Sequence, residues 1–304
     1  MKPFKAEQQT FEIGSVKIGG QPGTTPTVMI GSMFYRGQKI VTDDKQGKFD
    51  KAKAKEMIDV QAVMSDKTGL PGMIDLVVSF PEASKVYIDF AAEATDMPLL
   101  IDSTSAESRI AAITYAAEIG LSNRIVYNSL MPHHEQAELD SLRDLKLEHT
   151  VLLAFDDKLA SSSGRIEVIK NEEGTGLYDK ALEYGITKML IDTCVLDIPS
   201  LGMASLAIQD LKDKYGLVCG CGAHNSVATW KGLKKKFKPG LKPLGNAVSG
   251  VVSIMAGADF LLYGPIEEAD TTFPMVAMTD AALGQLEFER TGKFDVKHPL
   301  FRIA

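Results

Sequence analysis

Short, nearly uninterrupted apolar runs alternate with longer amphipathic stretches along almost the whole chain. A brief apolar run bounded by turn residues reads as a strand buried on both faces, and the stretches between such runs carry the helical period. The runs are Thr27–Gly31, Met73–Ser79, Pro98–Asp102, Arg124–Asn128, Thr150–Phe155, Lys188–Asp192, Leu217–Gly220 and Asp259–Tyr263, which makes eight predicted strands. Helices are predicted over Phe49–Thr68, Glu82–Ala94, Ala106–Gly120, Glu135–Lys146, Leu177–Gly185, Ser200–Tyr215 and Ala247–Ala256. Several of them end at a glycine suited to a left-handed cap. Ser105 reads as an N-cap, and Ser200 after Pro199 as a cap or first turn. The Ser-, Gly- and charge-rich segment Asp156–Thr175 reads as a mobile loop over the site.

Eight strand–helix units in 304 residues point to an α/β fold, a (β/α)8 TIM barrel formed as a single domain over residues 1–304. Residues 1–26, with a hairpin around Ile13-Gly14-Ser15, are expected to cap the barrel floor. Residues 270–304 are expected to be helical and to serve dimerisation. Within them, Asp270–Gly292 is long enough for two helices and carries Phe273, Pro274, Met275, Val276 and Met278.

Composition narrows the class. With 45% apolar and 24% charged residues, disorder and a coiled coil are excluded. A net charge of −7 carries no general footprint for nucleic acid or an anionic membrane. The run Lys231, Lys234, Lys235, Lys236 and Lys238 is either a solvated helix face or a docking patch for an acidic partner. No stretch is long and apolar enough to span a membrane, and the start Met1-Lys2-Pro3-Phe4 lacks a signal-peptide core. Three cysteines, an odd number in a large chain, fit a reduced, cytoplasmic protein.

In a barrel the chemistry sits at the C-terminal ends of the strands, so polar residues that terminate apolar runs are the informative ones. Strand three ends at Asp102, strand four at Asn128, strand six at Asp192, and strand seven runs into Gly222-Ala223-His224-Asn225. Each alone could be a loop cap or Asx turn. Together they place two carboxylates and two carboxamides around one mouth, a set that suits a neutral, flat heterocycle with a donor–acceptor–donor edge, such as a pterin. Walker, dinucleotide-fingerprint and Gly-x-Ser-x-Gly motifs are absent. Cys194, Cys219, Cys221 and His224 form the one metal-like constellation, although Cys-x-Cys followed by His three residues later is not a standard zinc spacing; the thiols read instead as small buried side chains, with no metal expected. If Asn225 points inward, strand alternation would turn His224 away. His133 and His134 are either near the mouth or solvated, and Trp230 is either core or an interface anchor.

At these strand ends the sequence resembles the pterin-binding, corrinoid-dependent methyltransferases, and in closest detail the family of the H subunit of tetrahydromethanopterin S-methyltransferase with its tetrahydrofolate-using bacterial relatives. The carrying residues are Leu100-Ile101-Asp102-Ser103-Thr104-Ser105, Tyr127-Asn128-Ser129, Leu190-Ile191-Asp192-Thr193 and Gly222-Ala223-His224-Asn225-Ser226, with Phe11-Glu12-Ile13-Gly14 and Pro26–Tyr35. The resemblance implies a homodimeric barrel that binds a reduced pterin in its mouth and receives a separate corrinoid protein above it. It implies that Asp102, Asn128 and Asp192 hold the pterin ring through its pyrimidine edge, and that Asn225 lies near the methyl-bearing N5. Met33, Tyr35 and Tyr263 are expected to face the corrinoid. The cobalamin belongs to the partner, and tetrahydrofolate is the preferred methyl carrier, with tetrahydromethanopterin as the alternative. The chain could also be a dihydropteroate synthase-like barrel enzyme, for which the late phosphate-binding Lys and Arg are missing, or a non-catalytic docking protein using Lys231–Lys238.

Overall fold

The computed structural model describes residues 2–293 and 295–303; Met1, Phe294 and Ala304, which belong to the expected cap and C-terminal regions, lie outside the described residues. The eight predicted runs become eight parallel strands: β1 (Val28–Met33), β2 (Gly72–Val77), β3 (Leu99–Asp102), β4 (Ile125–Leu130), β5 (His149–Leu153), β6 (Lys188–Asp192), β7 (Cys219–Cys221) and β8 (Phe260–Pro265). Each pairs with its neighbour in chain order, and β8 pairs with β1, closing the barrel.

Side chains alternate across each strand, so the barrel sorts its residues into two populations. Ile30, Met73, Leu100, Val126, Val151, Leu190, Val218 and Phe260 form a buried cluster inside the barrel, joined by Ile13, Val16 and Ile18 of an antiparallel hairpin (Thr10–Ile13 with Val16–Gly19). Residues one step away, such as Met29, Ile74, Leu99, Ile101, Tyr127 and Ile191, pack outward among the helices. Two residues beyond the interior layer, toward the strand ends, the inward positions are polar: Ser32, Asp75, Asp102, Asn128 and Asp192.

The outer helices are α1 (Lys51–Thr68), α2 (Ser84–Ala94), α3 (Ala106–Glu118), α4 (Gln136–Asp144), α5 (Ser162–Ile169), α6 (Leu177–Glu183), α7 (Ile198–Tyr215), the short α8 (Asn225–Ala228) and α9 (Leu233–Lys236), α10 (Lys242–Met255), α11 (Ala269–Thr291) and α12 (Pro299–Arg302). Ser105 caps α3 by accepting from Ser108 N, as expected. Of the two readings of Ser200, the first turn of α7 is the one found: Asp197 is the cap, accepting from Ser200 N at 2.9 Å, and Ser200 Oγ accepts from Asp197 N at 2.8 Å in return.

Two further expectations change. Asp156–Thr175 is not a continuous loop, because α5 forms within it, capped by Ser161 and anchored by buried Ile166, Val168 and Ile169. Asp270–Gly292 is one helix rather than two. Pro274 lies inside α11, where it removes one backbone donor without ending the helix, and the helix stops at Gly292, where φ is 66°. Phe273 and Val276 on α11 face the core, and buried Asp280 ties it to the start of β1, accepting from Thr27 N at 2.6 Å and Thr27 Oγ1 at 2.9 Å. Met275 and Met278 stay exposed.

Candidate functional site

A pocket of about 450 Å3 opens at the C-terminal ends of the strands. Asp102, Asn128, Asp192 and Asn225, singled out from four separate segments, all line it. Parallel register is what assembles them: Asp102 of β3 lies beside Asn128 of β4, and Asp192 of β6 lies beside Gly220, two residues before Gly222 in the pocket wall.

A fifth residue belongs with these and was missed. Asp75 of β2 lines the same pocket, 2% exposed, and accepts from Ser32 Oγ at 2.8 Å and Asn128 Nδ2 at 3.0 Å. It lies in the middle of the run Met73-Ile74-Asp75-Leu76-Val77, so attention to residues that end apolar runs passes over it. The available signal was a lone carboxylate inside a strand otherwise buried on both faces, where a charge is costly unless it has work or a partner.

The three carboxylates crowd one another in a poorly solvated space. Burial pushes Asp75 up to about 6 against the hydrogen bonds from Ser32 and Asn128. Burial, then the neighbouring Asp75, raises Asp102 well above the usual carboxylate range, with Arg109 opposing. Burial likewise pushes Asp192 up to about 6, although Cys194 N donates to its Oδ1 at 2.8 Å. A ligand that brings hydrogen-bond donors to this ring replaces water that the carboxylates lack, and each charge-assisted contact is worth about 1.5–3 kcal/mol.

Behind β3 and β4, Arg109 is fully enclosed. Its Nε donates to Tyr127 Oη at 2.8 Å, its Nη1 to Ser103 O, and its Nη2 pairs with Glu138 at 2.5 Å. The strand end that carries Asp102 is therefore held from outside the barrel.

Asn225 opens α8 and projects its carboxamide into the pocket; its backbone N–H donates to Gly222 O at 3.1 Å. His224 does not turn away. Both residues lie in the turn after β7, where the strand's two-residue alternation has ended, and both line the pocket. His224 Nδ1 lies 3.0 Å from Leu262 O, and burial pushes its pKa down, so the ring is neutral with Nδ1 donating. Its ring lies against Gly264, where a Cβ would come within 2.8 Å of it.

Of the three residues expected to face the corrinoid, only Tyr35 reaches the mouth, where its Oη lies 3.5 Å from Glu267. Met33 is completely buried, and Tyr263 is 1% exposed with its Oη donating to Gln61 Oε1 at 2.5 Å. Both occupy outward-facing strand positions, which places them between barrel and helices and away from any docked partner. The thiols of Cys194, Cys219 and Cys221 are buried, and burial raises all three; Cys221 Sγ lies 3.2 Å from Ser253 Oγ. Among the described residues no three His, Cys, Asp or Glu side chains cluster so as to hold a metal ion. His134 Nδ1 contacts Met131 O at 2.7 Å and His133 pairs with Asp156, while Trp230 meets Phe237 edge to face; none of the three lines the pocket. Lys242 stands on the pocket rim, 3.5 Å from Glu268.

Fold and pocket together define a (β/α)8 barrel whose mouth is an acidic, hydrogen-bonding cup. Solved structures share this fold: a Yersinia pestis dihydropteroate synthase with a pterine-sulfa conjugate (TM-score 0.61, 14% identity, 90% of this chain and 99% of that one) and a Xanthomonas albilineans dihydropteroate synthase with 7,8-dihydropteroate (TM-score 0.59, 15% identity, 90% and 98%). Residues 6–292 match the family described as tetrahydromethanopterin S-methyltransferase MtrH subunit, and the chain belongs to that family. Its curated relatives include the H subunit of tetrahydromethanopterin S-methyltransferase from Methanothermobacter thermautotrophicus, 39% identical over 99% of both chains, and that from Methanosarcina acetivorans, 38% identical over the full length of both.

Proposed function

We propose that the protein moves a methyl group between N5 of a tetrahydropterin bound in the barrel mouth and the corrinoid of a partner protein. Tetrahydromethanopterin is the better-supported pterin, because the relatives that match across the whole chain are named for it. The preference for tetrahydrofolate read from the sequence finds no support among them. The observation that carries the proposal is the ring of Asp102, Asn128 and Asp192 around one pocket, in a chain of this family.

The residues fit a pterin edge. Asp102 and Asp192 supply acceptors for its ring and amino N–H groups, and Asn128, whose Nδ2 is engaged by Asp75, offers its carbonyl oxygen. Asn225 stands apart at the start of α8 and is the donor for N5. Methyl transfer is an in-line displacement, so holding N5 and the acceptor in line supplies much of the rate. A donor whose contact with N5 strengthens as charge develops lowers the barrier further. The cobalt of the partner's corrinoid supplies the other end of the displacement. The approach is from above the mouth, past Tyr35, and the exposed lysines of α9 supply the charge that docks the partner. In the same reading the exposed Met275 and Met278 of α11 contribute to a homodimer contact. No helix among the described residues is long and apolar enough to cross a membrane.

The test is anaerobic spectroscopy of methylcobalamin with the purified chain and each pterin in turn. Conversion to cob(I)alamin with tetrahydromethanopterin is expected; conversion with tetrahydrofolate alone would reassign the pterin. No binding of either pterin would overturn the reading of the mouth.

A further inference from the structure

Arg165 of α5 lies behind Asp192 and is 1% exposed. Its Nε donates to Thr193 O at 2.8 Å and its Nη2 to Cys194 O at 3.1 Å, while Nη1 donates to the carbonyls of Ala160 and Ser161. Of the other buried cations, Arg109 and Lys212 pair with Glu138 and Asp259, and Arg124, at the floor end of β4, donates to the carbonyls of Thr95 and Met97. Arg165 makes no such ion pair among the described residues; its hydrogen bonds all go to neutral carbonyls, and its guanidinium lies over the Phe155 ring at 5.9 Å.

Thr193 and Cys194 form the turn that follows Asp192. Cys194 is left-handed, with φ of 57°, a conformation disfavoured for a residue with a Cβ. In that turn the N–H of Cys194 points back onto Asp192 Oδ1.

We propose that Arg165 is a positioning residue for Asp192: it clamps the Thr193–Cys194 turn in its left-handed form and sets an unpaired positive charge behind the carboxylate that holds the ligand. The proposal rests on the reading of the mouth as a tetrahydropterin site. The other charged and titratable groups around Asp192 are Asp75 on β2, Asp102 on β3, the thiols of Cys194 and Cys221, neutral His224 after β7, and Lys242 on the pocket rim, which pairs with Glu268. The backbone N–H groups of Cys194 and Gly222 counter the burial that raises Asp192, and Arg165 adds a buried positive charge to them. A lysine would keep the charge but could not serve the Thr193 and Cys194 carbonyls of the turn and those of Ala160 and Ser161 together with one planar fork.

The experiment compares Arg165→Met and Arg165→Lys in the full chain, each with and without Cys194→Gly. Two quantities are read: the tetrahydromethanopterin dissociation constant from pH 5 to 8, and the titration of the Asp192 carboxyl in ligand-free, 13C-aspartate-labelled protein by infrared difference against Asp192→Asn. Arg165→Met should raise the Asp192 titration by up to about one pH unit, which lowers the ionised fraction at pH 7 by up to about twofold, and release of the turn should weaken binding further. Because the ionised carboxylate is the binding form, the loss of affinity on acidification should begin at higher pH in that variant. Arg165→Lys should leave the titration nearly in place yet weaken binding at every pH, and Cys194→Gly should restore part of that affinity, since glycine takes the left-handed turn freely. An unmoved titration and unchanged affinity in folded Arg165→Met would overturn the proposal. If that variant does not fold, absence of rescue by Cys194→Gly in Arg165→Lys does so. Wild-type protein that binds no tetrahydropterin would refute the reading of the mouth, and the ligand-free titration would still decide the role of Arg165.

Discussion

Asn128 donates its Nδ2 to Asp75 Oδ1 at 3.0 Å, so the carbonyl oxygen of the same carboxamide is the atom left for a ligand. Asp75 is held in turn by Ser32. A carboxylate that no sequence motif marks thus determines which way a neighbouring amide faces.

Asp75→Asn is expected to stabilise the protein while impairing it. The folded carboxyl titrates at about 6, above its ordinary 3.8, so the folded chain takes up this proton before the unfolded chain does. The group's contribution to stability therefore falls as pH rises from about 4 to 6 and stays at its lowest above that. Removing the charge should add about 1–2 kcal/mol at pH 7.5, with the gain shrinking toward pH 4. Urea unfolding at both pH values checks this; an equal gain at both would place the effect elsewhere. Methyl transfer should slow, because Asn128 loses its fixed orientation.

Asp192→Asn should weaken tetrahydropterin binding by about 1.5–3 kcal/mol, the worth of a hydrogen bond to a charged acceptor. In the wild type, affinity should decline as pH falls through about 6, where Asp192 takes up its proton. Calorimetric titration at pH 5 and 7.5 measures both, and a flat profile with unchanged affinity would remove Asp192 from the site.

Asn225→Ala should reduce the rate of transfer by more than it reduces affinity, since its contact with N5 strengthens only as the reaction proceeds. Stopped-flow rates set beside equilibrium binding separate the two. The reverse pattern would make Asn225 a recognition residue.

Gly31→Ala should destabilise the barrel by about 1–3 kcal/mol without a specific effect on the corrinoid step. An added Cβ would lie 2.3 Å from Tyr263 Oη and 2.5 Å from Gln61 Oε1, a buried pair with no room to give. Tyr263→Phe, which leaves Gln61 Oε1 without its donor, should likewise lower the melting temperature while transfer from the corrinoid protein stays intact in the folded variant. Selective loss of that transfer would return Tyr263 to the docking face.

Charge reversal at Lys234, Lys235 and Lys236, all exposed on α9, should slow methyl exchange with a corrinoid protein at low salt and leave exchange with free methylcobalamin unchanged. Electrostatic steering is screened by salt, so the difference should fade as ionic strength rises. Equal effects on both donors would exclude a docking role.

The sequence alone was enough for the barrel. Eight apolar runs separated by helix-length segments leave few other ways to bury strands on both faces, and Asp102, Asn128 and Asp192 were visible because each ends such a run. Asn225 was visible for a related reason, standing in the polar turn after strand seven. Three things depended on tertiary structure. Asp75 is hidden inside an apolar run and becomes part of the site only when register sets it beside Ser32 and two residues from the inner layer. Met33 and Tyr263 look like strand-end residues, yet strand alternation turns them outward under the helices. Arg165 sits in a segment whose composition reads as a loop, and a short helix carries it behind Asp192, which lies far along the chain in the next strand. The physical reason is common to all three: local pattern determines whether a residue is in a strand or a helix, whereas closure of the barrel determines which face it shows and whose charge it meets.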